Sequence, residues 1–248
     1  IIRFSYSTTD AVLTAWEAAA LWTDWAGHLG CVDPDGMARF VKTGMCIFNT
    51  PGDNTVRVQR LWDELGIAYE VVGAERLQQL LPGMDLGAYF PPKRIDDPAF
   101  ADDPHATLTA ILETESGFMD DPMLCAKNLA YAARRHGAQF RFHQQVVGIE
   151  PQSQQVVVRT PRDTFHTGFL VTCGGLYSDR LARMAGLKPP AQIVPFRGEY
   201  FELHAERREL CRNLIYPVPD PNFPFLGVHF TRMVSGDVEC GPNAVFAL

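Results

Sequence analysis

The run IYPVPDPNFPFLGVHFT, from Ile215 to Thr231, limits the fold more than any other stretch. Prolines 217, 219, 221 and 224 each fix φ and remove a backbone donor. The run can therefore be neither a helix interior nor one unbroken central strand. It is expected to be a stiff connector with Tyr216 at one end and His229 at the other. In the sequence GVHF, His229 alternates with Val228 and Phe230, so it points away from the face those two share. A lone histidine on a strand is usually a satisfied core residue. On a rigid rim it is also a group that titrates near neutrality.

The rest of the chain punctuates itself with glycine, proline and capping residues. STTDAVLTAWEAAALWTDWAGHLG has hydroxyl and acidic residues at its start and a closing Gly30, which predicts one helix. Ala18, Trp22, Trp25 and Leu29 fall on one face of that helix. Strands follow in ARFVKTGMCIFNT, with Gly44 as a bend or bulge, then a helix over TVRVQRLWDELG. YEVVG is a strand or its approach. GAERLQQLLPG is a short helix stopped by Pro82 and Gly83. YFPPKRIDDPAFADDPHA is a proline-rich surface loop. DDPMLCAKNLAYAARRHG has an acidic start, a proline in its first turn and a terminal glycine, a strong helix pattern. AQFRFHQQVVGIE is expected as a strand. QQVVVRTPRDTFHTGFLVTCGG is expected as a hairpin whose last strand is the apolar run Phe169 to Cys173. LYSDRLARMAGL predicts another helix, and strands and turns fill the remainder. No internal repeat or flexible linker interrupts this order.

Composition excludes several functions. The 248 residues suffice for one large domain or two interleaved ones. Hydrophobic content of 46% and charged content of 21% suit a soluble globular protein. A net charge of -7 with only short, mixed basic clusters argues against nucleic acid as a partner. Six cysteines show neither a CxxC pair nor zinc-ligand spacing, so no metal site is expected and the thiols are expected reduced in a cytoplasmic protein. No apolar run reaches the ~20 residues that span a bilayer. Both ends of the sequence are expected to be cuts within something longer.

Motif chemistry is sparse. GxGxxG, GxxxxGK, HExxH and GxSxG are all missing from the sequence. In FLVTCGGLYSDRLARMAG, Gly174 and Gly175 join an apolar run to a helix. Paired glycines there either make a tight turn or let backbone approach a ligand closely. IIRFSY carries Arg3 and Tyr6, and PFRGEYF carries Arg197 and Tyr200. Such arginines either sit in surface ion pairs or grip a carboxylate with a planar fork.

Taken together, VVVRTPRDTFHTGFLVTCGGLYSDRLARMAGL, IVPFRGEYFEL, LIYPVPDPNFPFLGVHFTRM and GPNAVFAL resemble the L-2-hydroxyglutarate oxidase/dehydrogenase family of D-amino-acid-oxidase-like flavoproteins. That likeness runs from about residue 156 to the end. IIRFSYS, VKTGMCIF and LLPGMDL, within about the first 110 residues, resemble the sarcosine- and dimethylglycine-oxidising branch of the same superfamily.

The resemblance implies FAD and a mixed α/β (α+β) fold. A partial Rossmann-like FAD-binding domain, residues 1–30 and 115–190, would interleave with an antiparallel-sheet substrate domain, residues 31–114 and 191–248. It places the Val147 backbone at the adenine, and Cys173, Gly174 and Gly175 near the ribose and pyrophosphate. Arg3 sits where the sarcosine-type pattern has a substrate-facing arginine. Arg197, Tyr216, His229 and Asn243 are the substrate-side candidates of the hydroxyglutarate-type pattern. The glycine-rich unit and the C-terminal flavin segment of those families are expected to be absent, so these residues alone are not expected to retain FAD. The implied reaction is oxidation of an L-2-hydroxy acid, foremost L-2-hydroxyglutarate to 2-oxoglutarate, with His229 as base and Arg197 or Arg3 holding a carboxylate. The alternatives are a sarcosine- or dimethylglycine-type amine oxidase, and a catalytically silent subunit that needs a partner for FAD. The partner expected in all active readings is a small carboxylate; electron acceptor, membrane contact and oligomeric state are left open.

Overall fold

The computed structural model describes residues 1–49, 55–89, 91, 93–100, 102, 104–218 and 225–247. Prolines 219, 221 and 224 of the connector lie outside the described residues. In chain order the elements are α1 (Thr9–Thr23), α2 (Trp25–Leu29), β1 (Phe40–Lys42), β2 (Met45–Asn49), α3 (Thr55–Leu65), β3 (Glu70–Val72), α4 (Ala74–Leu80), β4 (Thr109–Glu113), β5 (Gly117–Met119) and α5 (Pro122–Arg135). There follow β6 (Gly148–Pro151), β7 (Val156–Arg159), β8 (Thr164–Thr167), α6 (Ser178–Met184), β9 (Phe196–Arg197), β10 (Phe201–Glu202), β11 (Leu214–Pro217), β12 (His229–Arg232), β13 (Val238–Gly241) and β14 (Val245–Phe246). The expected mixed α/β class holds.

Two compact units divide the chain. One is Ile1–His136 with Gly198–Ala244; the other is Gly137–Arg197 with Val245–Leu248. Residues 1–30, 31–114 and 115–136, assigned by resemblance to different domains, all fall in the first unit.

The first unit is built on a seven-stranded sheet in the order β10-β13-β12-β11-β2-β4-β3. Its neighbours are antiparallel, except that β11 runs parallel to β2. Alternation along the strands splits the core in two. Met45, Ile47, Ile111, Leu214 and Tyr216 face Phe4, α1 and α3, with Trp62 at the centre and fully buried. Cys46, Ala110, Ile215 and Val238 face Leu77 and Leu81 on the other side.

Helix α5 has the cap its sequence promised. The Asp121 carboxylate accepts from Leu124 N at 2.9 Å, and Pro122 occupies the first turn. The single helix expected over residues 7–30 is instead two. Asp24 breaks it because its side chain accepts from Gly27 N at 3.0 Å and caps α2. The break sends Val12, Trp16 and Ala19 to the main core. Trp22, Trp25 and Leu29 join a separate cluster with Ala38, Met119 and Cys125.

The second unit holds the antiparallel meander β6-β7-β8 and the pair β9-β14. Of two expected strands, one forms only at its end, as β6, and the other does not form. Residues 138–147 are irregular apart from the approach to β6, and the apolar run Phe169 to Cys173 is unpaired, with Phe169 81% and Val171 69% exposed. A strand exists only where a neighbour completes its ladder, and among the described residues no strand of this unit pairs with either run beyond the single bond at Val147.

Candidate active site

The register of the large sheet lines up one row of residues on the face of the α1–α3 core. His229 lies opposite Gly241, Tyr216 opposite Ile47, and Ile47 opposite Ile111. One step from the Ile215–Phe230 pair brings Tyr216 beside His229. The rings stack with centroids 4.1 Å apart and planes at 13°. Both residues are buried. Thr231, next along the same face of β12, hydrogen-bonds the Tyr216 phenol.

The imidazole has a defined tautomer. His229 Nδ1 lies 2.9 Å from the Gly227 carbonyl oxygen, which can only accept, so Nδ1 carries the proton. Nε2 is left with its lone pair. Burial lowers the His229 pKa below its ordinary 6.5, and the positive charge of Arg3 pushes the same way against the Gly227 bond. The side chain is therefore neutral at neutral pH and able to accept a proton.

Arg3 supplies the charge. Its Nη1 donates to the Ser5 carbonyl at 2.8 Å and to Ser5 Oγ at 2.9 Å. The guanidinium lies 4.7 Å from the Tyr6 ring centroid and 5.3 Å from that of Tyr216. Three anchors fix this segment. Ile2 exchanges backbone bonds with Gly117 at 2.8 and 2.9 Å. Trp62 Nε1 donates to the Phe4 carbonyl at 3.0 Å. Ser5 Oγ contacts Met45 Sδ. Behind Gly117, the buried Glu113 carboxylate accepts from Ser116 N at 2.9 Å, from Ser116 Oγ and from Glu115 N. Among the described residues no carboxylate pairs with Arg3. A half-buried guanidinium without a counter-ion is prepared for an anionic ligand.

Of the substrate-side candidates, the structure brings together Arg3, Tyr216 and His229. Asn243 lies in the same unit, but its amide is taken by Glu199. Its Oδ1 accepts from Glu199 N and its Nδ2 donates to the Glu199 carboxylate, both at 2.8 Å. Arg197 lies in the second unit on β9, exposed, opposite Val245. Sequence reasoning gave no role to Ser5 and Thr231, which orient Arg3 and Tyr216. Thr231 could have been found from alternation, two residues after His229; Ser5 carried no signal.

The cofactor-side candidates all lie in the second unit. Val147 N donates to the Arg159 carbonyl at 2.8 Å just before β6. Cys173 is exposed. Gly175 has a left-handed φ of 54°, and a Cβ on it would meet nothing within 4 Å. A Cβ on Gly174 would instead meet the flexible end of the Leu181 side chain on α6. This open, side-chain-free backbone turn fits a dinucleotide laid against it. No GxGxxG loop occurs in the sequence to cradle a pyrophosphate.

The FAD dependent oxidoreductase (DAO) family model matches residues 2–247. The chain belongs to this family. Relatives of this DAO chain include the L-2-hydroxyglutarate dehydrogenase of Indibacter alkaliphilus, 45% identical over 145 residues, which cover 57% of this chain and 36% of the relative. The L-2-hydroxyglutarate dehydrogenase of Escherichia coli K12 is 34% identical over 220 residues, 87% of this chain and 46% of that protein. The chain thus spans less than half the length of these relatives. DAO-like folds are also evident in solved structures. L-proline dehydrogenase from P. horikoshii has a TM-score of 0.74 at 16% identity, over 99% of this chain and 59% of that one. Glycine oxidase from Geobacillus kaustophilus has a TM-score of 0.70 at 20% identity, over 98% and 58%.

Proposed function

We propose that this chain carries the substrate-binding side of an FAD-dependent enzyme that oxidises an L-2-hydroxy acid, foremost L-2-hydroxyglutarate to 2-oxoglutarate. One observation supports it most: an arginine that pairs with no carboxylate among the described residues and a neutral histidine whose proton sits on Nδ1 converge on the same Tyr216 ring. Arg3 binds a substrate carboxylate through its guanidinium fork. His229 Nε2 accepts the hydroxyl proton as the Cα–H bond breaks. Tyr216 holds the imidazole in plane, and its own phenol is fixed by Thr231. Bound FAD would supply the two-electron acceptor. Val147 and Cys173–Gly175 would hold its adenosine side, and the unit that carries them would be part of a Rossmann-like cofactor domain. Asn243 serves as the clip on Glu199, and this reading does not require Arg197. The names of the curated relatives favour the hydroxy acid over an N-methyl amino acid.

The test is anaerobic reduction of the flavin-loaded enzyme with L-2-hydroxyglutarate, sarcosine and dimethylglycine in parallel. Bleaching by the hydroxy acid alone supports the proposal. Bleaching by the amines alone replaces it with the amine-oxidase reading, and retention of most turnover in His229→Ala removes the base from it.

A further inference from the structure

On the sheet row that carries the site, Gly241 occupies the place opposite His229. The neighbouring pairs of β10 and β13, Phe201–Cys240 and Glu202–Glu239, set the next residue out, Tyr200, against Gly241. A side chain at 241 would forbid what is seen there. A Cβ would lie 2.7 Å from Tyr200 Cδ1 and 2.9 Å from its Cγ. The Tyr200 ring lies over the bare glycine instead and meets His229 edge-on, centroids 6.2 Å apart at 79°. His229 thus has an aromatic ring on two sides: Tyr216 stacked and Tyr200 edge-on. The Asn243–Glu199 clip fixes the backbone immediately before Tyr200.

We propose that Tyr200 is a positioning residue for His229: its ring, admitted by Gly241, closes the second side of the imidazole, excludes water from it and keeps it against the Gly227 carbonyl, the bond that leaves Nε2 unprotonated. This deepens the hydroxy-acid reading and rests on His229 as its base. The ring acts here, and the phenol does not. Among the described residues, the other titratable or charged groups around His229 are Tyr216 on β11 and Arg3 from the N-terminal segment. Glu239 on β13 lies two register pairs away, opposite Thr231, and acts on Tyr200. Burial is the main cause holding the imidazole neutral, and Tyr200 is a removable part of that burial.

The experiment is an NMR pH titration of the His229 ring, its signals assigned by their loss in His229→Ala. Wild type is compared with Tyr200→Phe, Tyr200→Ala and Gly241→Ala. In wild type and Tyr200→Phe, His229 titrates below 6.5 and the ring-nitrogen shifts report protonated Nδ1. In Tyr200→Ala the midpoint moves up toward 6.5 and the two nitrogens report mixed tautomers. Gly241→Ala, which pushes the ring aside, behaves the same way. In the flavin-loaded enzyme the acid limb of kcat/KM moves with the NMR midpoint, so activity on the acid side falls roughly threefold or more in Tyr200→Ala but not in Tyr200→Phe. Loss of thermal stability alone, with midpoint and tautomer unchanged in Tyr200→Ala, overturns the inference. If Gly241→Ala does not fold, Tyr200→Ala decides, since it only removes atoms. Full turnover in His229→Ala would sink the base reading, and the ring titration would still decide the role of Tyr200.

Discussion

Tyr216 and His229 stack almost face to face, 4.1 Å between centroids, although a connector with four prolines starts at the end of one strand and leads to the other. The stack joins the two halves of the site. One edge of the Tyr216 environment is the cation Arg3, and the other is a neutral base. Electrostatics and tautomer are therefore set by three side chains from separate parts of the chain.

The first prediction concerns pH. The folded His229 pKa lies below 6.5, its ordinary value. The unfolded chain takes up a proton at about 6.5 that the folded imidazole refuses. The stability contributed is complete above 6.5 and is lost as pH falls below it toward the folded pKa. Urea midpoints measured between pH 7.5 and 5 should fall on the acid side, and His229→Gln should flatten that slope. An unchanged slope in the variant would assign the effect to other groups.

Arg3→Lys should keep a positive charge and lose the planar fork. KM for the carboxylate substrate should rise about 10-fold or more, with kcat changed less, because the binding geometry is lost while the base remains. Steady-state kinetics of the flavin-loaded enzyme would show this. A fall in kcat at constant KM would place Arg3 at the reacting carbon instead.

Trp62 links core to site. It is fully buried, and its indole bond to the Phe4 carbonyl fixes the residue next to Arg3. Trp62→Ala should cost about 3–5 kcal/mol of stability. Trp62→Phe should cost about 1–3 kcal/mol because the Phe4 carbonyl loses the indole donor and keeps only Tyr6 N. Chemical denaturation gives both values, and a Trp62→Phe variant as stable as wild type would mean that the hydrogen bond contributes nothing.

Glu113 is a buried carboxylate whose oxygens accept from the Glu115 and Ser116 turn. Burial raises its pKa despite those bonds. Its contribution is thus fully present below its ordinary 4.5 and is lost as pH rises through the raised folded value. Glu113→Gln turns an acceptor oxygen into a donor facing N–H groups and should destabilise by about 1–3 kcal/mol at pH 7. Thermal melts test this, and an unshifted melting temperature would contradict it.

Local signals in the sequence were read well where they were sufficient in themselves. Helix α5 carries an aspartate cap, a first-turn proline and a terminal glycine, and it forms as expected. Alternation placed His229 on the face away from Phe230. Asp24 misled because a capping residue inside a helical pattern looks like one more polar position. Phe169 to Cys173 misled because apolar content reports a preference for burial and says nothing about who supplies the neighbouring ladder. The meeting of Arg3 with Tyr216 was illegible in principle. It depends on the Ile2–Gly117 bridge and the Trp62–Phe4 bond, each between residues far apart in sequence. Asn243 was chosen by likeness, and its capture by Glu199 could not be read from spacing.

The parallel pairing of β2 with β11 has a consequence for biosynthesis. Met45 and Ile47 need Leu214 and Tyr216 as neighbours, and the whole of residues 137–197 is threaded between them as a separate body. During translation the first unit must wait with one apolar flank uncovered until its last strands leave the ribosome. Closing so long a loop adds entropy cost only slowly with length, but it delays the reward for closing it. The inserted body can collapse earlier. The waiting flank is thus a natural client surface for holdase chaperones, and a ribosome stalled before β11 should expose it to protease.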